Sequence, residues 1–97
     1  MKQGFIGYGN LANAVYQGLK EDRSIEFAYY ARNRKNVDLH YFQDMESLVL
    51  YADVIWLAVK PQDLAGVLEQ LKKSDLSEKT IISPVAGKSI AYIERYL

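Results

Sequence analysis

Residues 3–12 read Gln3-Gly4-Phe5-Ile6-Gly7-Tyr8-Gly9-Asn10-Leu11-Ala12, an apolar run of strand length followed by a Gly-x-Gly-x-x-Ala turn. An alanine-rich stretch with helical periodicity comes next, so the pattern predicts a strand, a tight turn and a helix. Gly7 would make the bend, Gly9 would let bare backbone approach a pyrophosphate, and Ala12 would let the helix lie close on the strand. The helix would present free N–H groups and its positive dipole end to the diphosphate. The stretch therefore predicts a dinucleotide-binding turn.

Size and composition limit what the rest of the chain can be. The 97 residues are enough for one small domain with a single core, and too few for a cofactor domain plus a substrate domain. No apolar run approaches the roughly 20 residues that a membrane helix needs. The 12 basic residues balance the 12 acidic ones, which leaves no broad positive field for nucleic acid or an anionic membrane. We expect a soluble domain with neither of these partners.

Cysteine and histidine usage argues against a metal site. The chain has no cysteine, which excludes a disulfide framework and a thiolate metal site. His40 is the only histidine and has no partner at metal-ligand spacing, so we expect a surface residue at a strand edge and no metal. Met1 and Lys2 lead straight into the first predicted strand without a signal segment. The cytoplasm is the expected location.

The remaining sequence alternates between helix and strand patterns. A helix is predicted from residue 10 to about residue 20, with an inward face of Leu11, Ala14, Val15, Gly18 and Leu19. Strands are predicted at residues 25–31, 39–42, 53–59 and 80–85, and the one at 53–59 is apolar enough for burial on both faces. Three further helices are predicted: one capped by Asp44 and running to Tyr51, one opened by Pro61 with Leu64, Val67, Leu68 and Leu71 inward, and one capped by Ser89 and running to Leu97.

The connection between the second and third strands is short. About seven residues join them, fewer than the dozen or so that a helical crossover between parallel strands takes. We therefore expect a turn where such a sheet usually has a helix. The alternation elsewhere predicts an α/β fold, a single Rossmann-like domain with a doubly wound parallel sheet in the order 3-2-1-4-5.

Ligands of such a sheet bind beyond the carboxyl ends of its strands, so the residues that follow each strand are the candidate site. Those segments are residues 7–11, 32–34, 60–62 and 86–89. The predicted cofactor-binding residues are Ile6, Gly7, Tyr8, Gly9, Asn10, Leu11, Arg32, Asn33, Arg34, Ala58, Val59, Lys60, Pro61, Ala86 and Gly87.

The segment after the second strand discriminates between cofactors. An NAD-binding chain usually has Asp or Glu there for the ribose 2′-hydroxyl, whereas this chain has Ala31 followed by Arg32 and Arg34. Arginine can hold a 2′-phosphate through a two-pronged, charge-assisted pair, and Asn33 can add a neutral hydrogen bond. We predict NADP rather than NAD. The alternative is that the two arginines belong to a solvated surface turn.

Three motifs together resemble the N-terminal domain of pyrroline-5-carboxylate reductase. They are Gly4-Phe5-Ile6-Gly7-Tyr8-Gly9-Asn10-Leu11-Ala12, Leu57-Ala58-Val59-Lys60-Pro61-Gln62 and Ile82-Ser83-Pro84-Val85-Ala86-Gly87-Lys88-Ser89-Ile90. All three occur in the family's order at compatible spacings, and the resemblance extends over essentially the whole chain. The middle motif is the most specific, because few dehydrogenase families have Ala-Val-Lys-Pro after a central strand.

The resemblance implies a site and a reaction. The glycine turn would hold the pyrophosphate, the residues after the second strand would hold the adenosine phosphate, and Val59-Lys60-Pro61 with Ala86-Gly87 would border the nicotinamide ribose and ring. Hydride transfer from NAD(P)H to the imine carbon of 1-pyrroline-5-carboxylate would give proline, in proline biosynthesis. The family continues into an all-helical domain that makes the homo-oligomer and supplies most of the substrate pocket. We therefore expect residues 1–97 to be an NADP-binding Rossmann domain from a truncated protein, inactive alone and without a catalytic residue that can be named.

Four features depart from the family's pattern. Tyr8 stands where a small residue is usual and would crowd or cover the diphosphate. Met45 stands where an asparagine often contacts the adenosine side, and Pro84-Val85 replaces smaller residues. These three departures bear on cofactor affinity and preference. The fourth is the shortened crossover, which bears on the adenine-side wall of the site.

Other interpretations of the same residues remain open. Lys60 can orient the cofactor or be a solvated loop residue. Residues 86–89 resemble the end of a P-loop, but Ile82 stands where the first glycine should be, so we reject a nucleoside triphosphatase. Trp56 and most of the eight tyrosines are expected in the core, with Tyr8 as the exception. The chain could instead be a stand-alone NADP-binding module without chemistry, or a cofactor domain of the hydroxyacid-dehydrogenase type.

Overall fold

A computed structural model of the chain describes residues 1–83. The strands are Lys2–Ile6 (β1), Glu26–Tyr30 (β2), His40–Phe42 (β3), Val54–Leu57 (β4) and Thr80–Ile82 (β5). The helices are Asn10–Leu19 (α1), Met45–Tyr51 (α2) and Leu64–Leu71 (α3), with a 3-10 turn at Pro61–Asp63 directly before α3. All strand pairs are parallel, and the sheet order is β3-β2-β1-β4-β5. The predicted α/β fold and strand order are confirmed.

Two apolar clusters lie on opposite faces of the sheet. On one face α2 and α3 pack against alternate residues of the central strands, with Ile6, Ile55 and Leu57 almost or fully buried. A Cβ atom at Gly4 would lie 2.9 Å from Cδ1 of Leu48, so this glycine lets α2 pack directly on β1. The other face carries α1 and an aromatic cluster around Phe5.

The face that α1 turns toward the sheet differs from the predicted one. The prediction is confirmed for Val15 and Leu19, which are half-buried, and wrong for Leu11, Ala14 and Gly18, which are exposed. The residues of α1 that lie toward the sheet are Ala12, Val15, Tyr16 and Leu19. Apolar residues cover a wide arc of this helix, so periodicity alone does not say which part of the arc meets the sheet. The small side chain of Ala12 marks the closest approach, at 1% exposure.

The central strand β4 is also less buried than predicted. Ile55 and Leu57 have no exposed surface, but Val54 and Trp56 on the opposite face are only half-buried. The prediction of burial on both faces is therefore wrong. Trp56 packs at an angle on Phe5, and its indole N–H donates a hydrogen bond of 2.8 Å to Oε1 of Gln3. The burial prediction rested on the apolar pattern of the segment. That pattern does not show that the indole N–H of Trp56 needs a polar partner on that face.

Helices α2 and α3 form as the sequence indicates. Asp44 caps α2, because its Oδ1 accepts a hydrogen bond of 2.7 Å from the backbone N–H of Ser47. The predicted inward residues of α3 are confirmed: Leu64, Leu68 and Leu71 are fully buried and Val67 is half-buried. The segment opened by Pro61 makes one 3-10 turn before α3 begins. The predicted helix from residue 89 to residue 97, and residues 84 and 85 of the predicted fifth strand, lie outside the described residues.

The connection from β2 to β3 contains no helix. Residues 31–39 form bends and irregular backbone, although the two strands are parallel. The prediction of a turn in place of a crossover helix is confirmed.

Candidate functional site

The glycine turn after β1 has a backbone that only glycine fits. Gly7 has a φ of +86°, and a Cβ atom there would lie 2.6 Å from the carbonyl oxygen of Ala58. The Gly7 N–H donates to the carbonyl of Tyr30 at 2.6 Å, and the Ala58 N–H donates to the carbonyl of Ile6 at 2.9 Å. These bonds fix the turn to the strands on either side, and the bend predicted at Gly7 is confirmed.

The second glycine of the turn faces open space. Gly9 is the N-cap residue of α1, and apart from its chain neighbours and the backbone of α1 no atom of residues 1–83 lies within 4 Å of the position that a Cβ atom would occupy. No side chain in the described part of the chain caps α1, so the first N–H groups of the helix have no side-chain acceptor there. A helix start with free N–H groups and an uncovered glycine suits the close approach of an anion.

A cleft of about 670 Å³ opens at the carboxyl edge of the sheet, in front of this turn. Its volume is in the range of roughly 300–1,000 Å³ that small-molecule sites occupy. The predicted residues that line it are Ile6, Gly7, Tyr8, Gly9, Arg32, Asn33, Ala58, Val59 and Lys60. They come from the ends of β1, β2 and β4, so three of the four predicted segments meet at one cleft.

Some predicted residues are not part of the cleft wall. Those among the described residues are Asn10, Leu11, Arg34 and Pro61. The guanidinium carbon of Arg34 lies 6.0 Å from the ring centroid of Tyr41, outside the wall. Ala86 and Gly87 lie outside the described residues. Cofactor contacts at all of these positions stay predictions.

Sequence reasoning missed about half of the wall. Gln62 also lines the cleft and belongs to the predicted segment 60–62, and the residues that were not predicted are Tyr30, Ala31, Lys35, Met45, Asp63, Gly66, Val67 and Gln70. Lys35 belongs to the same polar run as Arg32, so its charge was a signal. Asp63, Gly66, Val67 and Gln70 recur at helical spacing after the fourth strand, which places them on one face of the segment around α3. That periodicity could have found them.

Most of the charged side chains that line the cleft are positive. Arg32, Lys35 and Lys60 contribute to its wall, against the single carboxylate of Asp63. At the end of β2 the wall has Ala31, which is 6% exposed, and no acidic residue. This arrangement favours an anionic ligand.

The side chain of Tyr8 is buried in the core. Its ring is 8% exposed, makes an edge contact with Phe5 at 5.7 Å and lies 5.2 Å from the ring of Tyr29. Its hydroxyl lies 3.3 Å from Oδ1 of Asn13, to which it donates. Burial raises the pKa of the Tyr8 phenol, and the nearby Tyr16 and Tyr29 raise it further. The expected exception to core packing is therefore wrong, while crowding of a diphosphate by Tyr8 stays a prediction.

The described residues also bear on the predictions about metals, His40 and membrane helices. Within residues 1–83 no group of three or more His, Asp or Glu side chains could hold a metal ion. His40 is exposed on the edge strand β3, where its ring contacts Phe42 at 4.5 Å, as predicted for a strand-edge surface residue. None of the helices described is long and apolar enough to cross a membrane.

Comparison with known families gives one match, over residues 2–87, to the family described as NADP oxidoreductase coenzyme F420-dependent. Curated relatives include the pyrroline-5-carboxylate reductase of Staphylococcus saprophyticus, 32% identical over an alignment of 108 positions, and that of Staphylococcus aureus, 28% identical. The alignments cover all of this chain and 40% of each relative. The alignment has more positions than this chain has residues, so the relatives contain segments that this chain lacks.

Solved structures agree with the sequence matches. A pyrroline carboxylate reductase of Plasmodium falciparum with NADP bound superposes with a TM-score of 0.89 at 34% identity, covering 98% of this chain and 37% of that one. The pyrroline-5-carboxylate reductase of Coxiella burnetii gives 0.85 at 33%, covering 98% and 39%. An NADPH-dependent glyoxylate/hydroxypyruvate reductase of Sinorhizobium meliloti gives 0.64 at 20%, covering 84% and 26%, which shows the shared fold alone. The resemblance indicated by the three sequence motifs is confirmed.

Proposed function

Because the chain belongs to the family described as NADP oxidoreductase coenzyme F420-dependent, we propose that it is the NADP-binding domain of a reductase like pyrroline-5-carboxylate reductase. One observation carries the proposal. The ends of β1, β2 and β4 meet at one cleft, with the left-handed Gly7 turn and the start of α1 at its centre. In doubly wound sheets this is where a dinucleotide binds.

The chain's own residues fit the pyrophosphate and the 2′-phosphate of NADP. The open space at Gly9 and the uncapped start of α1 would receive the pyrophosphate. Arg32 and Asn33, exposed at the end of β2, would hold the 2′-phosphate. A carboxylate at Ala31 would repel that phosphate and would favour NAD, and the strand ends without one.

The nicotinamide end would lie beside the segment after β4. Val59 and Lys60 line the cleft there, and Lys60 is exposed at the start of the 3-10 turn, where it can orient the ribose. Bound NADPH would supply the hydride that reduces the imine carbon of 1-pyrroline-5-carboxylate to proline. The family resemblance assigns Ala86 and Gly87 to the same end of the cofactor.

The chain spans about 40% of the length of the curated relatives it matches. The activity of the whole protein is therefore a proposal in its own right: a small-molecule imine substrate, a role in proline biosynthesis, a homo-oligomer and a cytoplasmic location. We propose that residues 1–97 bind the cofactor and that the substrate's carboxylate clamp and the proton donor come from outside them.

Calorimetric titration of this chain with NADPH and NADH tests the cofactor. We expect NADPH to bind at least about tenfold more tightly, because a charge-assisted pair to the 2′-phosphate contributes about 1.5 kcal/mol. Equal affinities would show that the cationic residues after β2 do not meet the phosphate. We also expect no oxidation of NADPH when 1-pyrroline-5-carboxylate is added, so turnover by these 97 residues would contradict the proposed division of roles.

A further inference from the structure

The loop between β2 and β3 lines the cleft, but it has no helix that would hold its backbone in position. Parallel strands are normally joined by a helix of a dozen or so residues, which satisfies the backbone of the connection and fixes its direction. Residues 31–39 contain no helix, yet Arg32, Asn33 and Lys35 of this loop line the cleft. A phosphate-binding loop that must be ordered on binding loses affinity through conformational entropy. Some other device must hold this loop in place.

Two tyrosine hydroxyls bind the loop backbone. The hydroxyl of Tyr29 accepts a hydrogen bond of 2.9 Å from the backbone N–H of Lys35 and donates one of 3.1 Å to the carbonyl of the same residue. The hydroxyl of Tyr41 donates to the carbonyl of Ala31 at 3.0 Å. Tyr29 has no exposed surface, and the two rings lie 5.1 Å apart on neighbouring strands. The loop is therefore tied to the core at both ends of the segment that lines the cleft.

This arrangement separates the cations of the loop. Arg32 and Lys35 contribute to the cleft wall, whereas Arg34 does not and has its guanidinium carbon 6.0 Å from the centroid of Tyr41. Lys35 has the only backbone in the loop that one buried side chain binds through both its N–H and its carbonyl. The hydrogen bonds therefore fix the backbone position from which the Lys35 side chain extends at the cleft wall.

We propose that Lys35 is the second cationic partner of the 2′-phosphate beside Arg32, in the place that the sequence suggested for Arg34. Tyr29 is then a positioning residue. Its hydrogen bonds fix the backbone of Lys35, as a crossover helix fixes the connection between parallel strands in other sheets of this kind. The inference rests on the proposed function and adds to it the residues that select NADP. The inference concerns only the 2′-phosphate and does not depend on how the nicotinamide end of the cofactor is bound.

A matched pair of charge-removing variants tests the role of Lys35. Lys35→Gln and Arg34→Gln each remove one positive charge from adjacent positions, one on the cleft wall and one outside it. In calorimetric titrations we expect Lys35→Gln to weaken NADPH binding about tenfold and NADH binding less than about twofold. Arg34→Gln should weaken NADPH binding less than Lys35→Gln does, because its guanidinium group lies outside the cleft wall. An equal or larger loss of NADPH affinity in Arg34→Gln would overturn the proposal.

Tyr29→Phe tests the positioning role, because it keeps the buried ring and removes both hydrogen bonds. We expect the ratio of NADPH to NADH affinity to fall about threefold to tenfold, with NADH affinity unchanged, since the adenosine and pyrophosphate contacts do not pass through this hydroxyl. A general loosening of the fold would weaken both cofactors together, which would argue against the role. In the double variant Tyr29→Phe/Lys35→Gln the two losses should be less than additive, and full additivity would show that the residues act independently.

The parent chain separates the two levels of failure. If it binds neither NADPH nor NADH, the proposed function fails and this inference fails with it. If it prefers NADPH and Lys35→Gln keeps the whole preference, only the inference fails. Titration with 2′,5′-ADP, which carries the 2′-phosphate without the nicotinamide, should show the same loss in Lys35→Gln as NADPH does.

Discussion

Gly7 and Gly9 are two residues apart in one turn, and the structure gives them different requirements. Gly7 has a left-handed backbone and no room for a Cβ atom, since the carbonyl oxygen of Ala58 would be 2.6 Å away. Gly9 has an extended backbone, with φ of −129°, and open space around it. The fold thus requires a glycine at position 7, whereas at position 9 we propose that the requirement comes from the bound cofactor.

Replacing Gly7 with alanine should therefore destabilise the chain. We expect Gly7→Ala to lower the free energy of unfolding by about 3 kcal/mol, from backbone strain plus the overlap with Ala58. Urea unfolding followed by circular dichroism measures the change. A loss below about 1 kcal/mol would mean that the turn relaxes without cost.

Gly9→Ala is the matched variant with the opposite expectation. Its Cβ atom would meet no side chain among residues 1–83, so the free energy of unfolding should change by less than about 1 kcal/mol. NADPH affinity should nevertheless fall at least about tenfold, because the methyl group enters the space proposed for the pyrophosphate. Unchanged affinity in calorimetric titration would place the pyrophosphate elsewhere.

The buried phenol of Tyr8 predicts a loss of stability at high pH. Burial raises its pKa in the folded state above the ordinary value of 10.0, and burial does the same for Tyr51. The folded state holds these protons more tightly than the unfolded chain, so the stability they contribute is present below about pH 10 and is lost as the pH rises through the folded-state pKa. Urea unfolding between about pH 9 and pH 11 should show this decline, and a shallower one in Tyr8→Phe. An identical decline in both chains would rule out Tyr8 as a contributor.

At the scale of secondary structure, α2 depends on its N-cap residue, Asp44. The helix spans only Met45–Tyr51, and short helices gain little from intrinsic propensity. Its stability comes from the Asp44 cap and from the burial of Leu48 and Val49 against the sheet. Because Met45 of this helix lines the cleft, the cap also fixes part of the site wall.

Removal of the cap should cost stability without a loss of packing. We expect Asp44→Ala to lower the free energy of unfolding by about 1 kcal/mol, the usual value for a lost N-cap. Asp44→Ser keeps an oxygen that can accept from the N–H of Ser47, so it should retain most of the stability. Thermal unfolding of the three chains compares them, and equal losses in both variants would indicate that the carboxylate acts through its charge alone.

At the scale of the whole molecule, the cleft exists because three strand ends reach the same edge of one parallel sheet. The register pairs Ile6 with Tyr30 on one side and with Leu57 on the other, so the residues that follow all three strands meet there. A ligand in the cleft contacts segments that are far apart in the chain. Binding should therefore protect all of them together.

Hydrogen exchange with and without NADPH tests this expectation. We expect slower exchange in residues 7–10, 32–35 and 58–60 at once, while the exposed connection at residues 20–24 serves as the internal control. Saturation should also raise the stability of the chain, by about 2.7 kcal/mol at a free concentration of 100 times Kd. Protection in the glycine turn alone would contradict a ligand that spans the three strand ends.

Local sequence patterns were enough to predict the order of strands and helices, the sheet order, the bend at Gly7 and the lack of a crossover helix after β2. Each of these follows from neighbours in the chain, that is, from periodicity, a glycine pair and the length of a connection. The tertiary structure alone decided which face of α1 meets the sheet, that Tyr8 packs in the core, and that Lys35 lies on the cleft wall and Arg34 outside it. The reason is physical. These outcomes depend on contacts across the folded sheet, such as the Tyr29 hydroxyl bound to Lys35 and the ring of Tyr41 beside Arg34, and adjacent residues of equal charge give no local signal of which contact each will make.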